Sequence, residues 1–167
     1  GKTRHRGLEL ALRQEAFNFS NFPGNLDFNI NYTLSENKFV DFTDDGNILN
    51  GNILPSIPSQ ILHFGINWQA LKTLLFQSQI QYVGSQYLND ANSEKADEYL
   101  TIQLKTAYQF SIGKFVKLEI YGGVNNLTDA RYASMISVNA LSVGGNEPRY
   151  YYPGLPRNFF AGIKFHF

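Results

Sequence analysis

From Leu26 to Leu34 the chain sets an apolar side chain at every second position. Leu26, Phe28, Ile30, Tyr32 and Leu34 fall on one side, and Asp27, Asn29, Asn31 and Thr33 fall on the other. A period of two is that of a β-strand whose faces meet different surroundings. Six more segments repeat it. Leu8, Leu10 and Leu12 alternate with Glu9, Ala11 and Arg13, and Leu62, Phe64, Ile66 and Trp68 with His63, Gly65 and Asn67. Leu74, Phe76, Ile80 and Tyr82 stand against Gln77, Gln79 and Gln81, and Leu100, Ile102, Leu104 and Tyr108 against Thr101, Gln103, Lys105 and Gln109. Val116, Leu118, Ile120 and Val124 oppose Lys117, Glu119, Gly123 and Asn125. The chain closes with Phe159, Ala161, Ile163, Phe165 and Phe167 against Asn158, Phe160, Gly162, Lys164 and His166. Seven such segments without a sustained helical period predict an all-β, antiparallel sheet.

The connections and the aromatics indicate what the apolar side faces. Gln69–Thr73 and Ser111-Ile112-Gly113 are short, whereas 43–59, 84–97 and 126–156 are long, polar and rich in Gly, Asn, Asp and Pro. The link at 14–25 is intermediate. Trp68, Tyr82, Tyr99, Tyr108, Phe110, Phe115, Phe165 and Phe167 lie near strand ends. Short turns on one side, long loops on the other and two aromatic girdles are features of a transmembrane β-barrel. A three-residue hairpin at Ser111-Ile112-Gly113 would put Phe110 opposite Lys114 and Lys105 opposite Glu119, a charge pair on the polar, luminal face. Bacterial barrels have even strand counts because both chain ends lie on the periplasmic side. Seven strands therefore read as the C-terminal part of a larger barrel, either a cleaved product or a portion of the full one.

Composition narrows the chemistry. The 167 residues carry 14 basic and 14 acidic side chains, so net charge gives no footprint for nucleic acid. No cysteine is present, which removes disulfides, thiolate metal sites and cysteine nucleophiles. No apolar run approaches the ~18 residues of a membrane helix, but a spanning strand needs only about 9–11 and alternates. GKTRHRGLEL lacks the apolar core of a signal peptide, so an exported protein would be represented here by a mature piece or a fragment.

Candidate catalytic and metal chemistry is weak. His5, His63 and His166 sit on separate strands at polar positions and read as solvated luminal side chains. DFTDDGN offers Asp41, Asp44, Asp45 and Asn47 to calcium, but the twelfth position of that pattern is Asn52 where a bidentate Glu is required. No serine lies in a nucleophile elbow, and Ser78 faces outward with no histidine beside it on that side. The reading is a non-enzyme with no catalytic residues, no metal and no cofactor.

YGGVNNLTDARYAS, then a long loop and YYPGLPRNFFAGIKFHF, resembles the end of a TonB-dependent outer-membrane receptor. GKTRHRGLEL resembles the strand opening that family's C-terminal region, and NYTLSENKFVDF with GNILPSIPSQ resembles a strand, loop and Pro-rich return. The resemblance covers nearly all of residues 1–167 and implies the last seven strands of a barrel of about 22. It implies a Gram-negative outer-membrane location with a periplasmic C-terminus. It also implies a plug domain and a TonB-contacting segment outside this sequence. Gly162, Phe165 and Phe167 match the terminal signal read by the barrel-assembly machinery, although Phe160 stands where a polar residue is usual. The implied function is import of a scarce nutrient such as a ferric siderophore, haem, cobalamin or a glycan. The implied partners are the rest of the barrel and its plug, TonB, outer-membrane lipid, the assembly machinery and a small-molecule or chelate ligand. Arg131, Tyr132, Asn139, Asn146, Arg149, Tyr150, Tyr151 and Tyr152 offer aromatic surface and cationic or amide donors in the loops, and are the candidate ligand contacts. The alternatives are a passive outer-membrane channel or small barrel, a soluble β-barrel binding module, and a membrane enzyme.

Overall fold

The computed structural model describes residues 1–17, 24–113 and 115–166, with the side chains of 16 and 17 left aside. β1 (Lys2–Phe17) and β2 (Asn25–Asp41) open the chain, and β3 (Thr43–Asp44) and β4 (Asn47–Ile48) form a small ribbon in the first long loop. β5 (Gln60–Leu71) and β6 (Leu74–Val83) follow, then β7 (Gln86–Tyr87) and β8 (Lys95–Ala96) in the second loop. β9 (Tyr99–Ile112) and β10 (Val116–Asn125) make the next hairpin. β11 (Ala133–Ile136) and β12 (Tyr151–Pro153) belong to the third loop, and β13 (Asn158–His166) ends the sheet. Among the described residues no helix forms.

The seven long strands pair in the order β1-β2-β5-β6-β9-β10-β13, an up-and-down meander in which every neighbour is antiparallel. The register keeps the two faces apart across the whole sheet. One row runs Phe28, Ile66, Ser78, Leu104, Val124, Phe159; the row beside it runs Asn29, Gly65, Gln79, Gln103. A slip of one residue in any pair would exchange the faces, so the alternation itself fixes the register. The apolar face has no second layer over it: Leu8, Leu10, Phe159 and Ile163 are 63%, 56%, 79% and 57% exposed. Water would not tolerate a patch of that extent on a monomer, whereas hydrocarbon would.

Connections alternate as the sequence predicts. Thr73 and its neighbour close β5–β6, and β9 ends at Ile112 just before β10 begins at Val116, at the same end of the sheet as the last described residues of β1 and the first of β2. The three long loops stand at the other end. In the first of them Asp45 and Gly46 take φ of 45° and 78°, the left-handed pair of a tight hairpin turn between β3 and β4. The aspartates considered for calcium therefore build a turn. Among the described residues no cluster of three His, Asp or Glu side chains is placed to hold a metal.

The β9–β10 hairpin departs from expectation. Its last pair is Ile112 with Val116, so Ser111 and Ile112 belong to the strand, and Gly113 (φ 64°) begins the turn instead of ending it. The two extra strand residues move the register by four in summed number. Phe110 lies opposite Leu118, Glu119 opposite Gln109, and Lys105 opposite Gly123. Lys114 lies outside the described residues. The expected Lys105–Glu119 pair does not form. Glu119 instead takes a partner from its other side, accepting from Lys164 Nζ at 3.1 Å across β10–β13. Lys105 Nζ lies 5.1 Å from the centre of the Tyr121 ring, a cation–π contact that Lys164 also makes, at 5.2 Å. Tyr99 is also displaced from expectation: its register is that of the polar face, and its ring stacks on Tyr132 at 4.9 Å instead of joining a girdle.

Cysteines replacing Glu119 and Lys164 in the intact protein, freed of other cysteines, are expected to cross-link on mild oxidation. Cysteines at 105 and 119 are expected to remain separate, which non-reducing electrophoresis of membrane fractions would check.

Candidate ligand-facing loops

Three loops of this length would be mobile if each stood alone; here asparagines tie them together. Asn92 in the second loop (φ 57°) accepts from Ile53 N–H at 2.7 Å and donates to Ile53 C=O at 2.8 Å, so one side chain satisfies both backbone groups of a first-loop residue. Ser56 N–H donates to Tyr87 C=O, and Asn52 Nδ2 to Asp90 C=O, each at 2.8 Å. From the third loop Asn139 (φ 52°) donates its N–H to Leu88 C=O at 3.0 Å. Its side chain accepts from Asp90 N–H at 3.0 Å and donates to Asp90 Oδ2 at 2.7 Å. Leu88, only 1% exposed, is the apolar centre of this junction. Asparagine suits these positions because it tolerates left-handed backbone and carries both a donor and an acceptor.

The third loop is anchored to its strands by the VNNLTDARY and PGLPRN segments. Asn126, 3% exposed, donates to Ala130 C=O at 2.9 Å and Leu155 C=O at 3.1 Å, and accepts from Ala130 N–H at 2.9 Å. Asp129 accepts from Arg157 N–H at 2.8 Å, and Ser134 Oγ donates to Tyr152 C=O at 3.1 Å. These contacts join the end of β10 to the start of β13, so the motif residues have a clear architectural use.

The eight candidate contacts divide among different surroundings. Arg131, Tyr132 and Tyr151 line one groove of about 290 Å³ with Asp97, Glu98, Ala133 and Pro153. Partial burial, then the charges of Asp97 and Glu94, push the Tyr151 phenol above its ordinary pKa, so it remains a neutral donor. Asn146 and Arg149 line a separate recess of about 460 Å³ with Leu141, Val143 and Glu147. Asn139 is committed to Asp90. Tyr150 C=O accepts from Ser137 N–H at 2.9 Å, and Tyr152 is half exposed opposite Met135 in the β11–β12 ribbon. Sequence reading passed over the acidic side of the first groove. Asp97-Glu98 immediately before an alternating strand marks charge at a loop mouth, and that was the available signal.

Of the candidate assembly residues, Phe165 is exposed on the apolar face opposite Leu118, and Phe167 lies outside the described residues. Gly162 faces Tyr121, and a Cβ there would stand 2.3 Å from the phenol oxygen and 2.4 Å from Cζ. The reciprocal pair is Gly123 beneath Phe160, where a Cβ would lie 2.3 Å from Leu104 C=O and 2.6 Å from the Phe160 ring. Two aromatic rings, tilted 52° to each other, thus stand over two diagonal glycines on the polar face, covering backbone that glycine alone leaves bare. Phe160, the departure from the usual polar residue, is one of those covers. His5 Nδ1 donates to Asn37 Oδ1 at 2.7 Å and its Nε2 lies 3.1 Å from the Thr3 hydroxyl, and His63 lies between Asn31 and Gln81 in the register.

With that geometry established, relatives place the chain. A family model described as TonB dependent receptor-like, beta-barrel, matches residues 1–127, and the chain belongs to that family. Its sheet is similar to part of the siderophore receptor PiuA from Acinetobacter baumannii, with a TM-score of 0.73 and 20% identity over 98% of this chain and 22% of that one. It is similar to the ferric citrate transporter FecA in its unliganded form, with a TM-score of 0.75 and 20% identity over 98% and 24%. The ferric yersiniabactin uptake receptor FyuA from Yersinia pestis gives a TM-score of 0.66 and 20% identity over 98% and 23%. The chain spans about a quarter of the length of each. It forms part of a TonB-dependent receptor barrel, in a family of Gram-negative outer-membrane receptors rather than enzymes.

Asn126→Ala removes three hydrogen bonds from a buried group and is expected to cost about 1–3 kcal/mol. In the intact receptor this should appear as faster protease cleavage between 126 and 157, with Asn146→Ala unchanged. Gly123→Ala drives a Cβ into a backbone carbonyl and is expected to cost about 1–3 kcal/mol, read as a reduced folded fraction by heat-modifiable electrophoretic mobility.

Proposed function

We propose that the intact protein is an active importer of a scarce nutrient, and that residues 1–167 supply the C-terminal wall of its barrel and three of its external loops. The observation that carries this reading is the conjunction of the receptor-barrel register with tied loops that hold one polar-aromatic groove at Tyr132 and Tyr151 and a second recess at Asn146 and Arg149. In this reading the long loops face outward, the C-terminus is periplasmic, and a plug and a TonB-contacting segment lie elsewhere in the polypeptide. The strand ending in Gly162, Phe165 and Phe167 serves as the signal to the barrel-assembly machinery.

The named neighbours carry ferric chelates, which favours a siderophore-type cargo over haem, cobalamin or a glycan. Arg131, Tyr132 and Tyr151 would meet one part of such a ligand, with aromatic faces for its rings and a guanidinium for its carboxylate or catecholate oxygens. Arg149 and Asn146 would meet it from the neighbouring recess. Asn139 holds the platform. Passage then depends on rearrangement of the plug, driven through TonB, and the wall described here remains passive.

The test is uptake of radiolabelled iron by cells carrying or lacking the intact gene, offered a panel of ferric siderophores with TonB present or disabled. Uptake of at least one chelate should require both the gene and TonB. Uptake that persists without TonB would establish the passive channel instead. Arg131→Ala combined with Tyr151→Ala should weaken binding of that chelate by about tenfold, roughly the loss of one charge-assisted hydrogen bond, with surface abundance unchanged.

A further inference from the structure

Charge on the apolar face is confined to one corner. Along β5, β6, β9, β10 and β13, every described residue in the outward register is uncharged. Along β1 the outward register runs Leu12, Leu10, Leu8 and then Arg6 and Arg4. Beside it β2 runs Ile30, Tyr32, Leu34 and then Glu36 and Lys38. Leu34 stands opposite Gln60, the first residue of β5, so the charged row begins where the neighbouring strands give way to the long loops. Two cations share one carboxylate, Arg4 Nη2 at 3.3 Å from Glu36 Oε2 and Lys38 Nζ at 2.6 Å from Glu36 Oε1, and Arg6 stands opposite Glu36 in the register. Between this row and the apolar belt is a recess of about 310 Å³ lined by Arg6, Gly7, Leu8, Leu34, Ser35 and Glu36.

We propose that Arg4, Arg6 and Lys38 bind the phosphorylated headgroup of an outer-leaflet lipid whose acyl chains lie along Leu8, Leu10 and Leu34. Charge complementarity selects this occupant. A row of guanidinium and ammonium groups directly above exposed leucines matches a molecule with an anionic head joined to hydrocarbon. Arginine's planar fork also matches phosphate oxygens in a bidentate way. Exposed ion pairs to Glu36 alone stabilise little and leave the basic side in excess. Glu36 orients Arg4 and Lys38 while competing with phosphate for them. The outward long-loop end follows from the importer reading, and the site depends on that reading only for its membrane leaflet.

The experiment uses the intact receptor purified from outer membranes in mild detergent. Incubation with bisphosphorylated lipid A, or with lipid A stripped of its phosphates, is followed by removal of free lipid and measurement of retained acyl chains. Wild type should retain the phosphorylated form well above the stripped one, and Arg4→Gln with Arg6→Gln and Lys38→Gln should lower that retention by about fivefold per charge removed. Glu36→Gln, which leaves the leucines and the cations intact, should raise retention, and added salt should lower it in wild type. Equal retention of the phosphorylated form by wild type, the triple variant and Glu36→Gln would overturn the site and leave the importer standing. A wild-type protein that does not fractionate with outer membranes would overturn the site and the importer reading together.

Discussion

Everything in this chain depends on keeping two solvents apart with one ribbon of backbone. Inside a bilayer no water is available to an unpaired amide, so each spanning strand must give all its backbone bonds to its neighbours. The meander does so without crossovers, and the period of two then sends one row of side chains to each medium. The row Phe28–Ile66–Ser78–Leu104–Val124–Phe159 and the amide-bearing row beside it result from a single choice of register. The wall is stable against slippage because slippage would carry Asn29, Gln79 and Gln103 into hydrocarbon.

The two ends of the sheet solve a different problem. At the short-turn end little needs to be arranged, and between β5 and β6 two residues reverse the chain. At the other end, loops of more than a dozen residues would each lose considerable entropy on ordering. Asn92, Asn139 and Asn126 reduce that burden by supplying backbone-like hydrogen bonds between and within loops around the buried Leu88. The loops that carry the groove at Tyr151 are therefore held by a cross-braced scaffold and do not depend on isolated hairpins.

Much of the wall was legible in the sequence because burial against lipid imposes a regular pattern: all seven strands and the faces of their side chains follow from alternation. The turn at Gly113 was not. Gly113 marks a turn in the sequence without saying whether it opens or closes it, and the β-branched Ile112 takes its preferred place in the strand, opposite Val116. Pairing along the whole hairpin decides between them, and that removed Lys105 from Glu119 and gave it to Tyr121. Loop residues were legible by type but not by role. Asn139 reads as a free donor in sequence, and only the second loop's Asp90, 49 residues away, reveals it as a clamp. Phe160 likewise reads as a misfit until Gly123 is placed beneath it.

The tip of the third loop differs from the braced remainder. Among the described residues, the hydrogen bonds of 142–146 close on themselves: Asn146 N–H and Nδ2 both donate to Val143 C=O at 3.2 Å, and Ser142 Oγ donates to Asn146 C=O. Leu141 and Val143 are fully open to their surroundings at 82% and 75% exposure. A foreign epitope spliced into this small knuckle would leave the knots at Asn139 and Asn126 in place, which makes the knuckle a natural handle for tagging the protein at the cost of the Asn146 side of its recess.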